Sequence, residues 1–233
     1  MDGTAIAQSD REEIVDWMYT VAARHRIDFE MVAGTMGIVD RFLSKPCGVA
    51  QEVLRDRKQF VLIAIAALSI CMESGEKAIP KNGFLANISR ETSSEIKEME
   101  SSIQQGLPSG VHAPTSIEIA RHFLSEALPG IDIETSRWNY LLDDVRFQTE
   151  YAVRDYYFTT HWPSTVAMAA ILNSIDELLG NDRELMLRVF PSIVSKHFPV
   201  LTDVLAAKDR LWVEMERGHT TVVSDKIVEN VEK

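Results

Sequence analysis

The reactive side chains of this 233-residue chain fall in patterns that assemble no familiar catalytic set. Six histidines (25, 112, 122, 161, 197 and 219) never recur at metal-ligand spacing, so no metal site is expected. Three glutamates in "EIKEME" are better explained as an exposed helical face than as a paired acid and base. "ESGEK" lacks the spacing and the preceding strand of a phosphate-cradling loop. There is no Gly-x-Ser-x-Gly elbow, no His-Glu-x-x-His and no acidic calcium loop. Cys47 and Cys71 stand 24 positions apart and read as two reduced thiols rather than a redox pair. The expectation is a chain without cofactor that binds rather than catalyses.

One charged pair does call for a partner. "GIVDRFLS" (37–44) lies in "FEMVAGTMGIVDRFLS", apolar enough for a largely buried helix. A charge in such a helix costs several kcal/mol unless it is paired and hydrogen-bonded. Either Asp40 and Arg41 both reach solvent, or one of them meets an opposite charge elsewhere in the chain.

The elements around that pair are helical. Ser9 and Glu12 form a capping-box pattern opening "DREEIVDWMYTVAAR", where Ile14, Trp17, Met18 and Val21 share a face. Asp28 caps a second helix that stops at Lys45-Pro46. A third, about 53–74, is apolar nearly all round and rich in small residues, the mark of a helix surrounded by others. A short fourth follows Pro80, and a fifth opens with the box Thr92–Glu95. After "GLPSGVHAP" the layout restarts. A box at Thr115–Glu118 precedes "SIEIARHFLSEAL", then come "TSRWNYLLDDVRFQTEYAVRDYYF", the small-residue-rich "PSTVAMAAILNSIDELL", "DRELMLRVFPSIVSK" and "FPVLTDVLAAKDRLWVEMER". No segment alternates as a strand would. The fold class expected is all-α, two tandem five-helix units over 9–107 and 108–217, with residues 1–8 and 218–233 flexible.

Composition narrows the function classes. Acidic residues exceed basic ones by 35 − 24 = 11, which argues against nucleic acid or an anionic membrane as a partner. The longest apolar run, "FVLIAIAALSICM", has 13 residues, against the ~20 needed to span a bilayer. "MDGTAIAQSDREE" has neither the basic nor the apolar part of a secretory signal. The chain is expected inside the cell, in nucleus or cytoplasm, and not secreted.

Specific residues then point one way. "REEIVDWMYTVAARHRIDFEMVAGTMGIVDRFLS" resembles the opening of the cyclin box, whose first helix carries Arg-x-x-(aliphatic)-Val-Asp-Trp and whose second ends in Asp-Arg-Phe-Leu. "QFVLIAIAALSICMES" is similar to its third helix, "ETSSEIKEMESSI" to its fifth, and "PTSIEIARHFL" to the start of the C-terminal cyclin fold. The resemblance spans roughly residues 9 to 215, with the first box carried by several motifs and the second by layout.

What the resemblance implies can be placed residue by residue. The Asp-Arg-Phe-Leu aspartate, Asp40, would pair with the first-helix arginine, Arg11, while Arg41 faces out. The chain would bind a cyclin-dependent serine/threonine kinase and press its αC helix inward, completing a Lys–Glu ion pair. Glu100 matches the fifth-helix glutamate that bonds kinase backbone. Leu68, Met72 and Ile103 map to an apolar groove for the kinase helix. Cys71 replaces the family lysine, either as an interface group or as a small core residue. Losing that ammonium leaves carbonyls unpaired at ~1–3 kcal/mol. Gln104 stands where many members carry leucine. A second site for Arg-x-Leu peptides of substrates or inhibitors would use Ile14, Trp17 and Gln59, with Asp10 in place of an apolar residue; Trp17 reads equally as core. The runner-up function is a cyclin-fold adaptor that binds a non-kinase protein.

Overall fold

The computed structural model describes residues 6–46, 48–74, 84–89, 91–127, 134–177, 184, 190–191, 193–198, 201–213 and 215. Among these residues every regular element is a helix. The chain divides into two compact units, one of Met1–Thr115 with Val153–Thr159, the other of Ser116–Ala152 with Thr160–Lys233. The two end segments expected to be flexible lie mostly outside the described residues, as does Cys47.

Unit 1 contains α1 (Gln8–His25), α2 (Glu30–Leu43), α3 (Gly48–Val53), α4 (Arg57–Ser74), α5 (Phe84–Ile88) and α6 (Ser93–Gly106). α4 is buried on almost every side from Phe60 to Met72 and packs against both α2 and α6. Its run of alanines lets those neighbours approach closely. The third helix begins later than expected, at Arg57, because residues 48–53 form a helix of their own. Asp56 separates the two, its Oδ1 accepting the Lys58 N–H at 2.8 Å.

Two helix starts differ in their chemistry. At α6 the expected box is present: Thr92 Oγ1 accepts the Glu95 N–H, and Glu95 Oε2 accepts the Thr92 N–H at 2.9 Å. At α1 the expected Ser9–Glu12 box is replaced. The helix opens two residues earlier, with Ala7 in the N-cap position, and Asp10 Oδ2 accepts the N–H of Ala7 at 2.8 Å.

In unit 2, α7 (Ser116–Ala127) and α8 (Thr135–Ala152) pack on α9 (Pro163–Glu177). α9 is buried from Thr165 to Ile171, the counterpart of α4 in its own unit. Further helix lies at 193–197 and 202–213. The long second helix of this unit stops at Ala152 rather than near Phe158. A turn and a 3₁₀ segment, Tyr156–Thr160, follow, with Asp155 Oδ1 accepting the Tyr157 N–H. A polar cluster is buried between helices: Gln148 donates to Asp144 and Ser174, and Asn173 donates to Gln148 and to the Lys208 carbonyl.

Candidate functional site

Arg11 is only 4% exposed, and its guanidinium grips Asp40 with both prongs, Nη1–Oδ1 at 2.6 Å and Nη2–Oδ2 at 2.9 Å. Asp40 keeps 25% of its side chain in solvent. Paired donors and acceptors fix an angle as well as a distance, so this fork sets how α1 docks on α2. The third donor, Nε, gives a 2.9 Å bond to the carbonyl of Val153. That residue was read from sequence as part of a helix in the second unit. Here it belongs to unit 1, together with neighbours that Gln8 and Asp16 also hold.

Arg41 does not simply face out, as the resemblance implied. Its guanidinium donates to the carbonyls of Gly110 at 3.2 Å and of Val111, tying α2 to the stretch after α6. Burial lowers its pKa from the usual arginine value. Gly110 takes φ +110°, a conformation glycine adopts without Cβ strain, and so aims its carbonyl where Arg41 can reach it.

The residues expected to meet a partner's helix fall on α4 and α6, which pack together. Leu68 and Met72 are 3% exposed and Ile103 0%. These three are core rather than groove surface, a correction that follows from α4 being enclosed on nearly all sides. Cys71 is also buried; desolvation raises its thiol pKa, while a hydrogen bond to Thr35 and the nearby Arg41 charge pull the other way. Glu100 is half-exposed and Gln104 exposed, so the polar edge of α6 is what this face offers a partner.

A second surface is concave. A cavity of about 470 Å³ opens between α1, α4 and the end of α5 with the residues that follow it, floored by Ile14, Trp17, Phe60, Val61, Ile65 and Ile88. Of the three residues named from sequence for a peptide site, Ile14 and Trp17 line this cavity and Gln59 does not. Lys58, Val61 and Ile65 share the face of α4 turned to the cavity, and Gln59 is rotated about 100° from Lys58. The rim is charged. Arg57 pairs with Asp10 at 3.0 Å and with Glu13, and Lys58 lies 3.6 Å from Glu91 and 3.5 Å from Glu95. Those two carboxylates, Glu91 foremost, hold the Lys58 ammonium above its usual pKa. Sequence reasoning passed over Lys58, Ile88 and Glu91, because Glu91 reads there only as the residue before a helix cap.

Among the described residues no group of three or more histidine, cysteine or acidic side chains is placed to hold a metal ion. None of their helices is long and apolar enough to cross a membrane.

The described site thus combines a helical scaffold, an ion-pair clamp and a concave apolar surface. Comparison with known proteins narrows the class. Residues 1–109 match the model of the cyclin N-terminal domain. G2/mitotic-specific cyclin-B2 of Oryzias latipes is 28% identical over 175 residues, covering 73% of this chain and 41% of that protein. Human G2/mitotic-specific cyclin-B2 is 29% identical over 172 residues, with 73% and 39% covered. A viral cyclin from herpesvirus saimiri shares the fold at TM-score 0.62 and 18% identity, covering 89% of this chain and 86% of that one. A chain of the CAK complex from Chaetomium thermophilum shares it at TM-score 0.59 and 19% identity, with 89% and 62% covered. This chain spans half or less of the length of the relatives named first. Together these matches support a place for it in the cyclin family.

Proposed function

We propose that the chain is a cyclin-type regulatory subunit that binds and activates a cyclin-dependent serine/threonine kinase in cell-cycle control. The observation that carries this reading is the match of residues 1–109 to the cyclin N-terminal domain, in the unit that Arg11 and Asp40 lock together. The mitotic names of the relatives support the cell-cycle assignment. With Leu68, Met72 and Ile103 buried, the kinase helix rests on the edge of α6, where Glu100 accepts hydrogen bonds from kinase backbone. The buried core beneath keeps that edge rigid.

Pull-down against a panel of cyclin-dependent kinases, followed by a histone phosphorylation assay, tests this. The expected result is capture and activation of at least one kinase. Glu100→Ala is expected to weaken capture by about 10- to 100-fold, the worth of a hydrogen bond to a charged group. Recovery of a non-kinase protein and no kinase would replace this reading with the adaptor.

A second reading concerns the cavity on α1. Its apolar floor and acidic rim favour a docking site for a short basic peptide of a substrate or inhibitor, with Ile14 and Trp17 as the apolar contacts.

A further inference from the structure

The outward face of α8, in unit 2, carries aromatic side chains that the fold does not cover. Leu141, Val145, Gln148, Thr149 and Ala152 make the buried side of this helix. Tyr140 and Phe147 lie away from it, 59% and 46% exposed. Seven residues separate them, so the two rings stand about 20° apart around the helix and ~10 Å apart along it. Rings left in water in this register serve as anchors for a partner rather than for the chain's own core. They sit on a helix surface and not in a cavity, which suits a partner's helix better than a small molecule.

Carboxylates flank the rings on both sides. Asp143 is exposed, and nothing among the described residues pairs with it. Asp144 stands on the other side, held in place by donors from Gln148 at 2.8 Å and from Ser174. Arg146 is engaged by Glu150 at 2.7 Å. One cation against three carboxylates leaves 1 − 3 = −2 over these turns. A cation is therefore favoured, and an acidic, phosphorylated or nucleic-acid partner is repelled. A second copy of this chain is disfavoured as well, because in a two-fold pair the negative face would meet itself. Among cations, arginine fits better than lysine. Its planar guanidinium stacks on a ring while its N–H edge meets a carboxylate, whereas an ammonium is a compact charge that keeps its water.

We propose that this face of α8 is a docking surface for a helix of a partner protein that presents arginines two turns apart, one over each ring, with Asp143 between them as the ion-pair acceptor. The proposal rests neither on the kinase reading nor on the cavity at α1, both of which concern unit 1.

The test is fluorescence anisotropy of the full chain with a labelled alanine-based helical peptide carrying arginine at i and i+7, beside versions with lysine and with glutamine at those positions. The arginine peptide is expected to bind about fivefold tighter than the lysine peptide, and the glutamine peptide not detectably. Asp143→Asn is expected to weaken the arginine peptide about threefold. Phe147→Leu, which keeps apolar bulk and removes the ring, is expected to bring the arginine and lysine peptides level. Tyr140→Ser, at the more exposed ring, repeats that test where folding is not at stake, with a loss of about tenfold. Glu52→Gln removes the same charge from an exposed position on α3 and is expected to change nothing. An arginine peptide that does not bind, or binds no tighter than the lysine peptide, would overturn the proposal. So would affinities indifferent to Asp143→Asn and Tyr140→Ser, or a loss with Glu52→Gln equal to that with Asp143→Asn, which would mean attraction to net charge only. A dimer in sedimentation that Tyr140→Ser disperses would overturn it too, by placing a second copy on this face.

Discussion

Arg11 spends three donors on two distant parts of the chain, Asp40 and the Val153 carbonyl, and no other residue type can make the same set of bonds. A lysine in its place presents all its donors from one nitrogen and cannot form the same fork together with the Val153 bond. Asp40→Ala strands the guanidinium in a site where it is 4% exposed, and the expected loss is ~3–5 kcal/mol of unfolding free energy. Urea unfolding of the variant checks this, and a loss under ~1 kcal/mol would mean that the pair behaves as two surface charges. The Arg11–Asp40 meeting was legible because the apolar context of Asp40 makes an unpaired charge costly and the resemblance to the cyclin box names Arg11 as its partner. The third bond was not, since its acceptor is a main-chain carbonyl, and any residue type could have supplied it. Arg41 shows the same limit, because the carbonyls it meets follow from the φ of Gly110 rather than from any side chain.

At the scale of elements, α6 meets α2 through a glycine. A Cβ on Gly106 would stand 2.7 Å from Cε2 of Phe42, a ring that is itself fully enclosed. Gly106→Ala would normally gain helix propensity, yet here Phe42 must move, and a net loss of ~1–3 kcal/mol is expected in a thermal melt. The sequence signals a helix end at Gly106 but cannot show what that glycine faces. A similar difference separates the helix caps. The Thr92–Glu95 box is local and was readable, whereas α1 opens on the Asp10 side chain, which also serves Arg57 on α4. In unit 2, α7 is tied to the 193–197 helix by Glu126, which accepts from Lys196 at 2.8 Å and contacts His197 at 3.0 Å. Those bonds, Lys196 first, hold its carboxyl down at about 2 against an ordinary 4.5. A folded pKa below the unfolded one means stabilisation that is complete above the unfolded value and lost as pH falls from 4.5 towards 2. Glu126→Gln is therefore expected to lower the thermal midpoint at pH 7 and to flatten the acid limb of a melt-versus-pH curve between those limits.

For the molecule as a whole, the two compact units are not two consecutive stretches of chain. Unit 1 takes in Val153–Thr159, well past the point where the motifs of the first box end. Those residues supply the Val153 carbonyl to Arg11, two backbone bonds to Gln8 and the Arg154 side chain to Asp16. The two-part layout was visible in the repeated small-residue helix at the centre of each half. The return of a later segment to the first unit was not, because it depends on backbone groups and on a turn at Val153 that the periodicity of α8 ran straight through. It follows that residues 1–115 do not carry the complete unit. An excised 1–115 fragment keeps the Arg11–Asp40 fork but loses the Nε acceptor, and it should be less stable than the same unit in the full chain by ~1.5–3 kcal/mol, the worth of a buried hydrogen bond to a charged group. Trp17 is its sole tryptophan and so reports unfolding directly. The comparison is a full-length chain whose other three tryptophans, at 138, 162 and 212, are phenylalanine. Coincident urea midpoints for the two would show that Val153–Thr159 adds nothing to unit 1. A lower midpoint for the fragment, with the gap narrowed when Arg11→Lys is placed in both, would locate the loss at the bond to Val153.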